Sequence, residues 1–528
     1  MASLTTNWAD AADEEEAEQK PQKATTTKKT DLNPNAELPP ELKNLTISDN
    51  VNDKDNNNNN NNNNTDNKKS DEKEKKASKS VQMPLGKEAF ETQISKTLPD
   101  GSKEYLGEKT FEQCVKEDGL PAILKESIDK KFGYTKMTKI QVATVPDILK
   151  GKHIFAQGKN GSGKTFAFGL GILGRIDANI KQTQAIVICN TRELVQQQYN
   201  VFEDLTYAAN GAYTFKRVIP TGRDEKKDNA KITEHIIIGT AGSIFGKLEN
   251  RKITKVKDSL KCIVLDEADN LMGSAHTMKI IKHKTFKHRN DIQMIAFSAT
   301  YSPDNKKKCL ALLKNPIKIE VAEKDLVLKN VKQYYMKCLP GNDPNGLNHI
   351  LYVLSELFGC ELEMKQMIVF VNQRAYGKQV AEYLRKEKHT VGELYGGKGK
   401  DAMTPRQRDQ VLSDFIQKRT TRLVSTDVIG RGIDIPDVTH VISIELPKLR
   451  DKKTPDPEAY LQRVGRAGRM GRKGVAITLI PNAEQCVQNI KSVGAHWKNE
   501  IEEVLPYLDA ENPKEIPDDI WEKKFKVE

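Results

Sequence analysis

Two series of short Ile- and Val-rich runs, each run followed at once by a polar, Gly-rich or acidic cluster, constrain this chain more than any other feature. The first series reads "HIFA" (153–156), "AIVIC" (185–189), "HIIIG" (235–239), "CIVL" (262–265) and "MIAF" (294–297). The second reads "MIVFV" (367–371), "LVS" (423–425), "HVISI" (440–444) and "VAITLI" (475–480). Amphipathic stretches such as "TRELVQQQYNVFEDL" separate the runs. Helices cover both faces of a parallel sheet, so its strands are apolar throughout rather than alternating. The pattern predicts an α/β fold with two tandem domains, each a parallel β-sheet flanked by helices. A chain of 528 residues is also too long for a single core. The domains are expected at 105–321 and 331–528, joined by a linker at 322–330 on the polar stretch "AEKDLVLKN".

Residues 1–104 are expected to form a disordered, low-complexity N-terminal extension. From Met1 to Val81 there is one aromatic residue, Trp8, and an unbroken Asn run from Asn56 to Asn64. Such a segment cannot bury enough apolar surface to offset the entropy of ordering it. The acidic "NWADAADEEE" is open to two readings, a solvated tail and a short partner-binding motif.

Lys and Arg exceed Asp and Glu by 84 − 73 = 11. That balance suits a polyanionic partner and equally suits a lysine-rich surface. The cysteines (Cys114, Cys189, Cys262, Cys309, Cys338, Cys360, Cys486) are scattered with no C-x-x-C pair. Reduced core thiols, and with them an intracellular protein, are therefore expected rather than disulfides or zinc. No apolar stretch approaches a membrane-spanning length and the N-terminus has no signal-like apolar region, so membrane insertion is not expected.

Ligands of open α/β sheets bind beyond the carboxyl ends of the strands. The clusters that follow the runs are "QGKNGSGKT", "NTRELVQQ", "TAGS", "DEAD", "SAT", "VNQR" and "TDVIGRGID". Gly158 to Thr165 fits G-x-x-x-x-G-K-T between an apolar run and the helical "FAFGLGILGRI". Gly158, Gly161, Ser162 and Gly163 would let backbone N–H groups cradle phosphates, Lys164 would reach the β- and γ-phosphates, and Thr165 would hold Mg²⁺. Asp266 closes the "CIVL" run and would ligate the metal, leaving Glu267 to orient or deprotonate the attacking water. A phosphate loop and paired acids in one domain specify nucleotide hydrolysis.

In order, these segments resemble the DEAD-box RNA helicases from about Phe111 to Ile480. The match runs through "GYTKMTKIQ" (133–141), the phosphate loop, "NTRELVQQ" (190–197), "TAGS" (240–243), "DEAD" (266–269), "SAT" (298–300), "IVFVNQR" (368–374), "STDVIGRGID" (425–434) and "QRVGRAGR" (462–469). The resemblance implies two RecA-like domains whose cleft closes on ATP and RNA together. It implies that Arg466 and Arg469 are finger arginines, that Gln141 reads adenine with Phe111 stacked on the base, and that Asp434 meets the ribose. Asp269, Ser298 and Thr300 would couple hydrolysis to RNA. RNA contacts are implied at Thr191, Arg192, Gly222, Thr240 and Gly242 in the first domain and at Arg374, Gly396, Thr426 and Val428 in the second. Amides, hydroxyls and arginines suit phosphate and 2′-OH groups and read no bases, so binding is expected to be sequence-independent. ATP and Mg²⁺ are the implied cofactors, and RNA unwinding or ribonucleoprotein remodelling the implied activity.

The sequence departs from the family pattern at Met137, Asn190, Gln373, Gly430 and Gln462, none of which removes a phosphate, metal or finger group. Ser243 stands where most members place arginine. That departure, the extended "ELPKLRDKKTPDPEAYLQRVGR" and the terminal "IPDDIW" look like the subgroup that remodels messenger ribonucleoprotein at nuclear pores. The partners so implied are a HEAT-repeat export activator carrying inositol hexakisphosphate and a nuclear-pore docking protein. A monomer, cytoplasmic and nuclear and reaching the pore, is implied too, with its N-terminal extension regulating cleft closure. Competing placements are members of translation initiation or RNA decay, and an ATP-gated RNA clamp used as an assembly platform. A P-loop kinase or metabolite ATPase is disfavoured by the second series of runs.

Overall fold

The computed structural model describes residues 88–220, 230–253, 255–286, 289–322, 328, 330–338, 350–351, 353–355, 357, 366–396, 403–427, 435, 438–449, 451, 453–468, 472–481, 483–497, 499, 501–503, 508–509 and 512–513. Residues 1–87 of the expected tail, most of the expected linker, and Gly222, Val428, Asp434 and Arg469 lie outside the described residues.

The first sheet contains β1 (Ile94–Thr97), β2 (Lys103–Glu104), β3 (Ile154–Gln157), β4 (Ala185–Cys189), β5 (Phe215–Val218), β6 (Ile236–Thr240), β7 (Cys262–Asp266), β8 (Gln293–Ser298) and β9 (Ile317–Val321). Its order is β2-β1-β9-β3-β8-β7-β4-β6-β5. Strands β3 to β9 pair in parallel, and β1 runs antiparallel to both β2 and β9. The second sheet contains β10 (Val331–Cys338), β11 (Met367–Val371), β12 (Val391–Leu394), β13 (Arg422–Ser425), β14 (His440–Ile444), β15 (Gly474–Pro481) and β16 (Glu502–Glu503). It is parallel throughout, in the order β12-β13-β11-β14-β15-β10-β16.

Strand residues alternate between two cores, one on each face of each sheet. Ala185, Val187 and Cys189 pack on one face of the first sheet, and Ile186 and Ile188 on the other. In the second sheet Val369 and Val371 face one core, Ile368 and Phe370 the other. Cys114, Cys189, Cys262, Cys309 and Cys338 are free and buried, while Cys360 lies outside the described residues. No helix among the described residues is long and apolar enough to cross a membrane.

The folded part starts earlier than residue 105. The main chain of β1 pairs with β9 over Ile94↔Val321 to Thr97↔Lys318. The buried Lys96 ammonium lies 2.7 Å from Asp147 and 3.0 Å from Glu104. A strand built around a buried lysine has no apolar run to betray it, which is why this boundary is not visible in the sequence.

Candidate functional site

Register places the polar clusters on one edge. Gln157 of β3 pairs with Ser298 of β8, Asp266 of β7 with Phe297, and Cys189 of β4 with Thr240 of β6. The phosphate loop, the acids, "SAT", Thr191 and Thr240 therefore all emerge at the carboxyl ends of neighbouring parallel strands.

The loop from Gly158 to Gly163 leads into the helix Lys164–Arg175. Gly161 (φ +75°) and Gly163 (φ +91°) adopt left-handed backbone that favours glycine. A Cβ on Gly163 would also stand 2.6 Å from the Gln141 amide nitrogen. The Lys164 side chain is buried, its Nζ donating to the carbonyls of Gly158 (2.7 Å) and Lys159 (3.0 Å). Gly158 N–H in turn donates to the Ser298 carbonyl at 3.0 Å, joining the loop to "SAT".

Gln141, the expected adenine reader, lies beside the phosphate loop. It is fully buried, and its Oε1 accepts from the Thr138 backbone N–H at 2.9 Å in the capping box of the helix Lys139–Leu149. Its Nε2 faces the Gly163 carbonyl at 3.5 Å, while Thr138 Oγ1 donates to the Ser162 carbonyl at 2.9 Å. Both side chains brace the phosphate loop. Phe111 is 1% exposed within the core and offers no free ring face to a base. The likeness supplied its place in the chain, but a core position next to Cys114 decides its burial.

Asp266 and Glu267 are both buried. Burial, then the neighbouring Glu267 carboxylate, push the Asp266 carboxyl well above the usual range, and Lys164 and the Gln198 amide pull the other way. Gln198 went unnoticed in the sequence: its Nε2 donates both to Asp266 and to Thr165 Oγ1 (3.1 Å), bringing the two candidate metal ligands together. Glu267 occupies left-handed backbone (φ +57°), an uncommon conformation for a non-glycine residue, and its Oε2 is buried without a hydrogen-bond partner. Ser162 Oγ, Ser298 Oγ and Thr300 Oγ1 are also buried and unpartnered. Buried polar atoms are usually satisfied, and the grouping of these four along one strand edge, beside the phosphate loop, fits a polar ligand there. Among the described residues no group of three His, Cys, Asp or Glu side chains could hold a metal ion alone. A hydroxyl and a carboxylate of the Thr165–Asp266 kind fit Mg²⁺, which takes few protein oxygens and completes its shell with phosphate and water. Asp269 accepts from Ser302 N–H (2.9 Å) and Oγ (3.1 Å), tying the acids to the segment after Thr300.

From the second domain, the helix Pro457–Val464 ends in the turn that carries Gly465 and Arg466. A Cβ on Gly465 would lie 3.8 Å from the Asn160 amide, so this turn abuts the phosphate loop. Arg466 is 1% exposed, with Nε donating to the Gln462 carbonyl at 3.1 Å. Arg463, given no role in the sequence, is fully buried. It holds Asp427 through two bonds (2.6 and 3.0 Å), Asn372 Oδ1 at 2.8 Å and the Glu445 carbonyl at 3.3 Å. Arg408 reaches across to the buried Glu193 at 2.6 Å.

Of the expected RNA positions, Thr191 caps the helix Arg192–Leu205, accepting from Leu194 N–H at 3.2 Å. Thr240 and Gly242 open the helix Ala241–Glu249. The first turn of a helix has backbone N–H groups with no partner inside the helix, the ordinary means of holding phosphate. In the second domain Gly396 N–H donates to Thr426 Oγ1 at 3.2 Å, and Arg374 starts the helix Arg374–Lys386 with its Nε buried and unpartnered.

A family model described as DEAD/DEAH box helicase matches residues 138–309, and one described as helicase conserved C-terminal domain matches residues 348–471. The ATP-dependent RNA helicase DBP5 of Lodderomyces elongisporus is 31% identical over 443 residues, covering 83% of this chain and 79% of that protein. The structure of S. cerevisiae Dbp5 bound to RNA and ADP BeF3 aligns with TM-score 0.67 at 28% identity, covering 75% of this chain and 96% of that one. A variant of S. cerevisiae Dbp5 bound to Nup159, a Gle1 variant, IP6 and ADP aligns with TM-score 0.51 at 27% identity, covering 74% of this chain and 97% of that one.

Proposed function

This chain belongs to the DEAD-box ATP-dependent RNA helicases, and from that premise we propose that its two sheets share one ATP site whose closure on RNA drives hydrolysis. The supporting observation is the row of buried, unpartnered polar atoms at Ser162, Glu267, Ser298 and Thr300, beside a phosphate loop that the Gly465 turn abuts. Lys164 Nζ exchanges its two carbonyl partners for phosphate oxygens of ATP. Mg²⁺, when bound, would be held by Thr165 and Asp266 and would neutralise charge on the phosphates. Glu267 orients the attacking water and takes its proton, with its carboxylate aimed by the left-handed backbone. Arg466, with Arg469 beyond it, supplies positive charge from the other domain to the transferring phosphoryl group. Gln141 reads the adenine and, with Thr138, braces the loop, and Asp269 links the acids to the RNA-facing edge.

RNA would lie across both sheets on Thr191, Arg192, Thr240, Gly242, Arg374, Gly396 and Thr426, through its sugar-phosphate backbone. The cellular role we propose is remodelling of messenger ribonucleoprotein for nuclear export, by a monomer working in the cytoplasm and at the nuclear pore. The Dbp5 likeness and the Nup159, Gle1 and IP6 bound to the S. cerevisiae relative support that role. The corresponding partners are a HEAT-repeat activator with inositol hexakisphosphate and a pore-docking protein.

The test is Glu267→Gln. The variant should bind ATP and RNA as the parent does while turnover drops by about 10² or more. Recovered from extract with ATP, it should carry polyadenylated RNA and pore proteins. Unchanged turnover sinks the hydrolytic role, and recovery of initiation or decay factors instead sinks the export role.

A further inference from the structure

Beyond the expected RNA path the first domain carries a second feature with nucleic-acid chemistry. The helices Ala241–Glu249 and Ala275–Ile281 pack together, and between them opens a cavity of about 300 Å³. Phe245 and Met278 supply its apolar lining, and Lys279, Lys282, Lys284, His283 and Glu249 its polar lining. These three lysines are exposed, and none of them forms an ion pair among the described residues. Lys279 Nζ lies 5.8 Å from the Phe245 ring centroid, and the His276 ring packs on the same phenyl at 5.7 Å.

One carboxylate, Glu249, faces the cavity, and it is occupied: His283 Nε2 lies 2.8 Å from it. On its other side His283 Nδ1 lies 3.3 Å from the Thr285 backbone N–H and 2.9 Å from Thr285 Oγ1, so both ring nitrogens are engaged. The cavity therefore presents an aromatic face under an excess of ammonium groups.

Its position gives it a ligand. Gly242, Phe245 and Glu249 share one face of the same helix, and a Cβ on Gly242 would come 3.9 Å from His276. The distance along the helix from Gly242 to Glu249 is about 10 Å at 1.5 Å per residue. That spans about two or three nucleotides at the roughly 3.4 Å rise of a stacked strand. Cations beside an aromatic ring are what proteins use to hold single-stranded RNA without reading sequence. We propose that this cavity is an additional subsite for single-stranded RNA leaving the cleft at Gly242, with a base on Phe245 and His276 and phosphates on Lys279, Lys282 and Lys284. The proposal rests on the RNA-helicase reading above.

The test uses the full chain with ADP and beryllium fluoride and a series of labelled oligouridylates, lengthened on one side at a time from the length that fills the cleft. The parent should gain about tenfold in affinity from added nucleotides on one side only. The variant Lys279→Ala/Lys282→Ala and, separately, Phe245→Leu, which preserves the half-buried packing, should lose that gain and keep both short-oligonucleotide affinity and short-RNA-stimulated hydrolysis. For the lysine variant the slope of log affinity on log salt should flatten by about 0.7 per lost phosphate contact, for long RNA alone. No gain with length in the parent, a gain intact in both variants, or equal losses at every length would each overturn the subsite. Failure of the parent to bind even the short oligonucleotide would instead overturn the helicase reading on which it rests.

Discussion

Gly163 concentrates the demands of the site in one residue. Its backbone is left-handed and a β-carbon there would collide with the Gln141 amide, whereas Gly161 has the same handedness and open space where a β-carbon would go. Gly161→Ala should therefore cost only backbone strain, about 1–2 kcal/mol of stability. Gly163→Ala must in addition displace the loop from its brace, and misplacement of this kind costs on the order of 10² in turnover. Comparing thermal unfolding and ATP hydrolysis of the two variants checks this, and equal hydrolysis would contradict it. At this scale the placement of Lys164, Thr165, Asp266 and Glu267 at or just beyond the carboxyl ends of neighbouring strands was legible from spacing alone. The sequence was illegible where a polar side chain had two possible employers. Gln141 serves its own helix start and the loop, and Gln198 joins Thr165 to Asp266 from a helix whose polar face looks like ordinary surface.

At the scale of elements, the helix Pro457–Val464 carries a titration that should be measurable. Glu458, in its first turn, is pushed up to about 7 by burial, with Asp456 and, across the cleft, Asp269 adding repulsion. His496, 3.9 Å away, is the basic group that faces it. A carboxyl raised in the folded state contributes stability while protonated. That contribution is complete below the unfolded value of about 4.5 and is lost as pH rises through about 7. The melting temperature of the parent, relative to Glu458→Gln, should thus fall between about pH 5 and pH 8. Parallel curves would contradict the assignment. Element legibility followed burial on the sheet. The inner strands β3, β4, β6, β7, β8, β11, β14 and β15 read as apolar runs. By contrast β5 ("FKRV") and β12 ("VGEL") are the outermost strands of their sheets, where half the side chains meet water and the run is broken. Strand β10 ("VKQYYMKC") hid its place behind lysines at its exposed and half-exposed positions.

For the molecule as a whole, the question is how two domains become one site. Two series of strands announced two sheets, and the motifs announced which edges matter. The contacts that join the edges were not legible, because no local pattern connects Glu193 to Arg408 or Asn160 to Gly465. In the structure the Glu193 carboxylate is buried and its partner arrives from the other domain. Removing the partner of a buried charge costs about 3–5 kcal/mol. Arg408→Ala should therefore weaken RNA binding in the presence of a non-hydrolysable ATP analogue by tenfold or more, and leave nucleotide binding without RNA nearly unchanged; a loss of both alike would place Arg408 in local folding instead.

The most direct measurement is steady-state ATP hydrolysis by Arg466→Ala, with and without saturating RNA, alongside its affinity for ATP. A guanidinium that crosses to the transferring phosphoryl group is worth about 10³ to 10⁵ in rate. A single site built from two domains predicts that RNA-stimulated turnover collapses by about that factor while ATP affinity changes by less than about threefold. Turnover that survives the substitution, or affinity that falls in step with it, would mean that Arg466 serves its own domain and that the two sheets do not share the site.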